Sequence, residues 1–259
     1  GREEKTKKSC QRADMNKNPE KPLDKSSSRT YHRQYNLNIK IFETKNKIQQ
    51  GQSMKARIAG IGAYAPERVV TNDQLSEIVD TSNEWIRSRT GISERRISTG
   101  ETTRDLAAEA ARRALKAAGV DARELDIIIL GTSSPDNNYP SDACSVQAMI
   151  GAENAVAFDI SAACAGFIFA MNIVHGFFQA GIYKTALIIG AETLSKVTDW
   201  TDRGTCVLFG DGAGAAVLKA EETGVVDMLM GSDGTKGPIL SCTSRTLGNF
   251  LTGTKPELG

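Results

Sequence analysis

FDISAACAGFIFA, residues 158–170, decides how the rest of the chain is read. It opens as a strand-like run, passes through the small residues Ser161, Ala162 and Ala163, and continues as an apolar helical pattern. Cys164 falls at the turn between the two. A cysteine at the first turn of a helix meets unpaired backbone N–H groups and the positive end of the helix dipole. Both favour thiolate over thiol, and the thiolate is the nucleophile. Gly166, with no side chain in the way, would let a substrate approach the backbone closely. The competing reading is inert packing, because free cysteine is among the most often buried residue types. Position alone does not decide between them.

The sequence around this turn reads as alternating strands and helices. Ala155 to Ile160 is a strand leading into the turn. The helix after Cys164 carries Phe167, Ile168, Phe169, Met171, Ile173, Val174, Phe177 and Phe178 around most of its circumference, the pattern of a helix sandwiched between layers. His175 lies three turns from Cys164, ~16 Å along the axis, too far to be its base. It reads as a satisfied core histidine. TALIIGAET (185–193) and LDIIILGTSS (125–134) are nearly all apolar, as expected of strands covered on both faces. Between them and the N-terminal part, Thr102 and Asp105 form a capping box, Leu106, Ala110, Ala114 and Ala118 line a stripe, and Gly119 supplies the stop. This rhythm predicts right-handed crossovers and a mainly parallel sheet.

The remaining stretches fill in the frame. KARIAGIGAYAP (55–66) is a first strand ending at Pro66. Its GIGAYA lacks the third glycine of a dinucleotide loop and reads as a strand-edge turn. Thr71–Gln74 and Thr81–Glu84 have capping-box spacing, which predicts two short helices. The second carries Trp85, Arg87 and Arg89. An indole and a guanidinium one helical turn apart can share a face and offer a stacking plate beside a phosphate partner. Spacing alone favours a half-buried Trp with solvated arginines. Residues 141–150 form a helix in which Cys144 is packing. GDGAGA (210–215) has no Lys-Ser/Thr after it, so its glycines serve tight turns and close backbone packing rather than a phosphate. Val225 to Leu229 is a final edge strand, and SDGTKG is a turn.

Composition excludes several classes. With 259 residues, 40% of them hydrophobic and 24% charged, the chain is of globular type. Its net charge of +1 hides an asymmetry: residues 1–53 hold thirteen Lys/Arg against six Asp/Glu, and the rest nineteen against twenty-five. Residues 1–53 are expected to be a disordered basic extension, whether native, upstream read-through or a transit peptide, with no specific nucleic-acid role. The five cysteines (Cys10, Cys144, Cys164, Cys206, Cys242) make no CxxC pair, and an odd count without a secretory signal argues for a reducing compartment. With only His32 and His175, no metal site is expected. No apolar run is long enough to span a membrane.

Three stretches together go further. Cys164 in DISAACAGF, with DTSNEWIRSRTGI (80–92) and DRGTCVLFGDGAGAAVL (202–218), resembles β-ketoacyl-acyl carrier protein synthase III. That is the thiolase-fold condensing enzyme that starts fatty acid synthesis. The resemblance runs from about Met54 to about Leu240. It implies an α/β, thiolase-like fold of layered αβαβα architecture, of which mainly the N-terminal half is present. Residues 54–240 would be the half containing the nucleophile, and 241–259 the truncated start of the remainder. It further implies that Cys164 is the catalytic nucleophile and that Trp85 stacks on the adenine of coenzyme A. Arg89 would meet the phosphate, Arg203 would close over the adenine, and Thr81 would lie beside it. Tyr139 would stand at a dimer interface.

By the same resemblance the protein needs no tightly bound cofactor. It uses acyl-CoA and malonyl-acyl carrier protein, forms a homodimer, and works in the cytoplasm, or in the plastid stroma if the extension is a transit peptide. Synthases of this kind also use a His and an Asn from the second half of the chain, and no residue here matches either motif. Two rivals follow. One is another thiolase-fold acyltransferase such as a hydroxymethylglutaryl-CoA synthase. The other is an inactive half-domain, which would expose the apolar face of the helix after Cys164 and self-associate.

Overall fold

The computed structural model describes residues 54–239 and 241–242. The basic extension expected over 1–53 lies outside the described residues, as does nearly all of 241–259.

Among the described residues seven strands form two sheets. The larger has the order β1-β7-β6-β4-β5, from β1 (Lys55–Tyr64), β4 (Ile127–Gly131), β5 (Val156–Ile160), β6 (Thr185–Thr193) and β7 (Asp211–Glu221). The smaller pairs β2 (Val69–Thr71) with β3 (Glu94–Arg96). In the large sheet β4 runs parallel to both β5 and β6, whereas β7 is antiparallel to β6 and β1. The sheet is therefore mixed: β1, β4, β5 and β6 point one way and β7 the other. The helix-linked strands β4, β5 and β6 are the parallel ones, but β7 returns beside β6 without a crossover helix long enough to reverse it.

Each central strand is apolar on both sides because each side meets a helical layer. Ile128, Leu130, Leu187, Ile189, Ala213, Ala215 and Val217 face α3 (Thr103–Ala118) and α4 (Asp142–Ile150). The alternate residues Ile127, Ile129, Ala186, Ile188, Ala216 and Leu218 face α5 (Gly166–Gln179) through Ala170, Val174 and Phe178. The result is three layers, helix, sheet, helix. α3 begins at the expected capping box of Thr102 with Asp105 and ends at Gly119 in the left-handed region. α5 is covered on one side only: Ile168, on its other side, is 48% exposed. The circumferential apolar pattern thus finds just one of the two layers it was expected to lie between.

A third cluster lies beside the sandwich. There Leu75, Ile86, Cys206 and Val207 pack with Trp85 and Trp200, drawing on α1 (Asn72–Leu75), α2 (Asn83–Thr90) and α6 (Arg203–Cys206). Thr71 caps α1 in the expected box with Gln74. α2 differs: its cap is Ser82, which accepts from the Trp85 N–H at 3.1 Å, and Thr81 lies one residue outside. Two further expectations fail and a third holds in part. The GIGAYA glycines are not at a turn but inside β1, against the backbone of α3. In GDGAGA only Gly210 is crowded, by Arg95 and Arg96; Gly214 has open space. Residues 225–229 make no strand, while the turn expected at SDGTKG is present within a 3-10 turn spanning Gly234–Ile239.

Asp142, in the first turn of α4, is fully buried. One oxygen accepts from the Asp136 N–H at 2.9 Å, and the other has no partner. Burial pushes its carboxyl up from the ordinary range, and neighbouring Asp136 and Asp159 add to the effect. A carboxyl raised in the folded state favours the protonated form. Its contribution is complete below the unfolded value and is lost as pH rises through the folded one. Asp142→Asn is therefore expected to stabilise the fold at pH 7 by about 1 kcal/mol and to give no advantage at pH 3, read from urea midpoints at the two pH values.

Candidate active site

The three parallel strands end at one edge of the sheet, and chemistry-bearing residues follow each end. Gly131 on β4 is in register with Ile160 on β5 and with Gly190 on β6. The β5 end continues into the Cys164 turn, and the β6 end into the segment that carries Arg203. Crevices at the carboxyl ends of parallel strands are where open α/β sheets bind ligands.

Cys164 sits in a 3-10 turn, Ala163–Ala165, immediately before α5 rather than within its first turn. Ala163 has φ 45°, the only positive φ outside glycine among the described residues. Such a conformation costs free energy and is held in place by its surroundings. No side chain caps the turn or α5, so their first N–H groups are taken by no side chain. Cys164 is exposed. Gly166 is buried, and a Cβ on Gly131 would come within 3.1 Å of its carbonyl carbon. That glycine pair brings the start of α5 onto the end of β4. Gly166 thus serves helix–strand approach, not the substrate approach its position suggested.

Hydrogen bonds pin the same edge. Glu192, at the end of β6, accepts from the Ser133 N–H at 2.7 Å and from the Ser134 hydroxyl at 2.5 Å. Asp211, at the start of β7, accepts from the N–H groups of Ser98 and Ser195 at 2.7 and 2.9 Å. Asp159, next to the cysteine turn, accepts from the first two N–H groups of α4 at 2.8 and 2.7 Å. None of these three carboxylates is singled out by the sequence. Each sits at a strand terminus, where an acidic residue in an apolar run is the only available signal.

The second group is aromatic and cationic. The Arg89 guanidinium carbon lies 4.4 Å from the Trp85 ring centroid and that of Arg203 lies 4.2 Å from it. Arg203 also stands 3.8 Å from the exposed Asp80 carboxylate. Thr81 Oγ1 and Arg203 Nε are buried without a hydrogen-bond partner. The structure therefore brings Trp85, Arg89 and Arg203 together, with Thr81 next to Asp80 in the chain. Among the described residues no hydrogen bond or ring contact joins Cys164 to this group.

Several other groups fall outside the site. The His175 Nδ1 accepts from the Ala56 N–H at 3.2 Å, and burial together with Lys55 lowers its pKa, so it is a neutral packing histidine. Cys144 is half-buried with its thiol 3.4 Å from the Ala157 carbonyl, and Cys206 is fully buried. Among the described residues no cluster of His, Cys, Asp or Glu is placed to hold a metal ion, and no helix is long and apolar enough to cross a membrane.

Comparison with known proteins bears on the family. The profile described as 3-oxoacyl-[acyl-carrier-protein (ACP)] synthase III matches residues 158–234, the segment from the cysteine turn through β7. A β-ketoacyl-[acyl-carrier-protein] synthase III from Clostridium acetobutylicum is 54% identical over 193 residues, 74% of this chain. One from Xylella fastidiosa is 56% identical over 187 residues, 71% of this chain. Over this span the chain is similar to synthase III proteins.

The folds agree. The crystal structure of the synthase III from Aquifex aeolicus superposes with a TM-score of 0.64 at 53% identity, covering 65% of this chain and 55% of that one. The synthase III from Thermus thermophilus gives 0.67 at 40% identity, covering 78% and 63%. The α/β architecture is the thiolase-like one of these enzymes. The chain spans less than three-fifths of the length of the two synthase III relatives from Clostridium and Xylella, 59% and 58%. Both come from bacteria and carry the synthase III name, which gives the plastid and hydroxymethylglutaryl-CoA readings no support.

Proposed function

We propose that Cys164 accepts an acyl group from an acyl-CoA whose nucleotide is held by Trp85, Arg89, Arg203 and Thr81. The observation that carries this is the exposed thiol on a strained turn at the edge of the sheet where Arg203 also follows a strand end. The thiolate attacks the thioester carbonyl, the C–S bond to coenzyme A breaks, and the coenzyme leaves as a thiolate that takes a proton from water. In the complete enzyme the acyl group would then pass to malonyl-acyl carrier protein, with loss of CO₂ and formation of a 3-oxoacyl product. That step needs donors aimed at the enolate oxygen. The His and Asn of synthase III are expected to supply them, and neither motif occurs in this sequence. Residues 54–240 are thus assigned the acyl-loading half of the reaction. A homodimer with the exposed Tyr139 at its interface belongs to the same reading.

For an adenine to enter between Trp85 and Arg203, the guanidinium must lift from the ring. An exposed cation–π contact is worth only about 0.5–1 kcal/mol, so the plate is readily opened. The opened pair then offers the adenine a ring on one side and a cation on the other. Arg203→Ala is expected to raise the acetyl-CoA concentration needed for half-maximal acylation about tenfold while leaving the saturating rate within about twofold. The same half-saturation in the variant and the parent would remove Arg203 from the site.

A further inference from the structure

The cluster beneath Trp85 has a cation at its centre. Arg95, on β3, is 6% exposed, and among the described residues no carboxylate is paired with it. One nitrogen, Nη2, makes both of its hydrogen bonds: to Asn72 Oδ1 at 2.9 Å and to the Val207 carbonyl at 3.2 Å. Its Nε and Nη1 are buried without partners. A buried charge with no counter-charge is costly and is retained only where its surroundings fix it.

The two acceptors belong to different parts of the cluster. Asn72 donates in turn to Asn83 Oδ1 at 3.0 Å and to the Ile92 carbonyl at 2.8 Å. Asn83 is the first residue of α2, the helix that carries Trp85 and Arg89. Val207 is the C-cap of α6, whose first residue is Arg203. A single guanidinium nitrogen therefore connects the helix bearing the aromatic plate to the one-turn helix bearing the cation above it. α6 has only four residues and one side-chain cap, from Asp202, so its orientation depends on contacts at its ends.

We propose that Arg95 is a positioning residue for the nucleotide end of the coenzyme A site, setting Arg203 against Trp85 through Val207 on one side and Asn72 on the other. This rests on the reading of coenzyme A at Trp85 and Arg203 given above. Arg95 does not touch the ligand; it is buried beneath the residues that do. Its loss should therefore weaken the use of donors that carry the nucleotide and spare those that lack it.

The test compares two acetyl donors on the full chain: acetyl-CoA, and S-acetyl-N-acetylcysteamine, which has the thioester but no nucleotide. Acylation of Cys164 is read by mass spectrometry. For Arg95→Met, which keeps the apolar stem and removes the donors, the second-order rate with acetyl-CoA is expected to fall about tenfold and that with the short thioester to stay within about twofold. Arg95→Lys, a shorter cation, is expected to lose about threefold with acetyl-CoA alone. It carries the test by itself if the methionine variant does not fold. Equal losses with both donors, or no loss with either, overturn the proposal. If the parent chain shows no preference for acetyl-CoA over the short thioester, the coenzyme A reading itself fails, and Arg95 falls with it.

Discussion

Cys164→Ala is expected to abolish acylation of this site by acetyl-CoA, a fall of at least about a hundredfold in rate, with no change in thermal midpoint. The first half of that expectation follows from the lack of a second exposed thiol at this sheet edge among the described residues. Cys206 is fully buried, and burial, then Asp202, pushes its thiol up from the ordinary value, away from the thiolate form. Cys144 is half-buried and engaged with the Ala157 carbonyl. Cys242 is exposed, so the label must be mapped to a peptide rather than counted on the intact chain. The second half follows from exposure: the Cys164 side chain fills no core position, and alanine already occupies both neighbours in the turn. Acetyl label recovered on other cysteines of the variant at the parent's rate would remove Cys164 as the nucleophile.

The sheet was legible because its strands obey a simple physical rule. A short apolar run rich in β-branched residues, such as Ile127–Gly131, reads as a strand covered on both faces, and all five of its residues are buried. The capping boxes at Thr71 and Thr102 were legible for the same reason: both partners lie within one turn. What was not legible depends on long-range pairing. The direction of β7 follows from its register with β1 and β6, and glycine-rich alternation carries no sign of direction. The true cap of α2 is Ser82 rather than Thr81, because adjacent hydroxyl residues both satisfy the local pattern and the chain's path chooses between them. At the site, one turn of helix puts Trp85 and Arg89 on a shared face, and the strand–helix turn carries Cys164. Spacing favoured plain packing for the first pair and left the cysteine open, so their proposed roles came from resemblance. The stacking of Arg203, far along the chain, came only from resemblance. Arg95 had no signal at all, since a charged residue in a short polar strand gives no hint that it is buried.

Gly62→Ala is expected to destabilise the fold by on the order of 3 kcal/mol, lowering the thermal midpoint by roughly 6–12 °C. A Cβ built at Gly62 lies 2.3 Å from the Ala110 carbonyl oxygen and 2.4 Å from the Ala114 nitrogen. At Gly60 it would lie 2.4 Å from the Ala118 nitrogen. These neighbours are backbone atoms of α3, so no rotamer change relieves the overlap; the helix as a whole must move off the strand. Movement there is expensive because the same helix face buries Leu106, Ala107, Ala110, Ala111 and Ala114 against the sheet. The small residues of α3 and the glycines of β1 are thus two sides of one close approach, which seats α3 on the sheet and brings Thr103 to the 2.7 Å hydrogen bond with Thr193 at the end of β6. Gly214, on the neighbouring strand and opposite Ala63, would carry a Cβ with nothing within 4 Å of it and supplies the control. Gly214→Ala is expected to change stability by no more than about 0.5 kcal/mol. Equal denaturation midpoints for the two variants would mean that β1 and α3 are not in backbone contact, and the seat of the helix layer over the Cys164 edge would have to be redrawn.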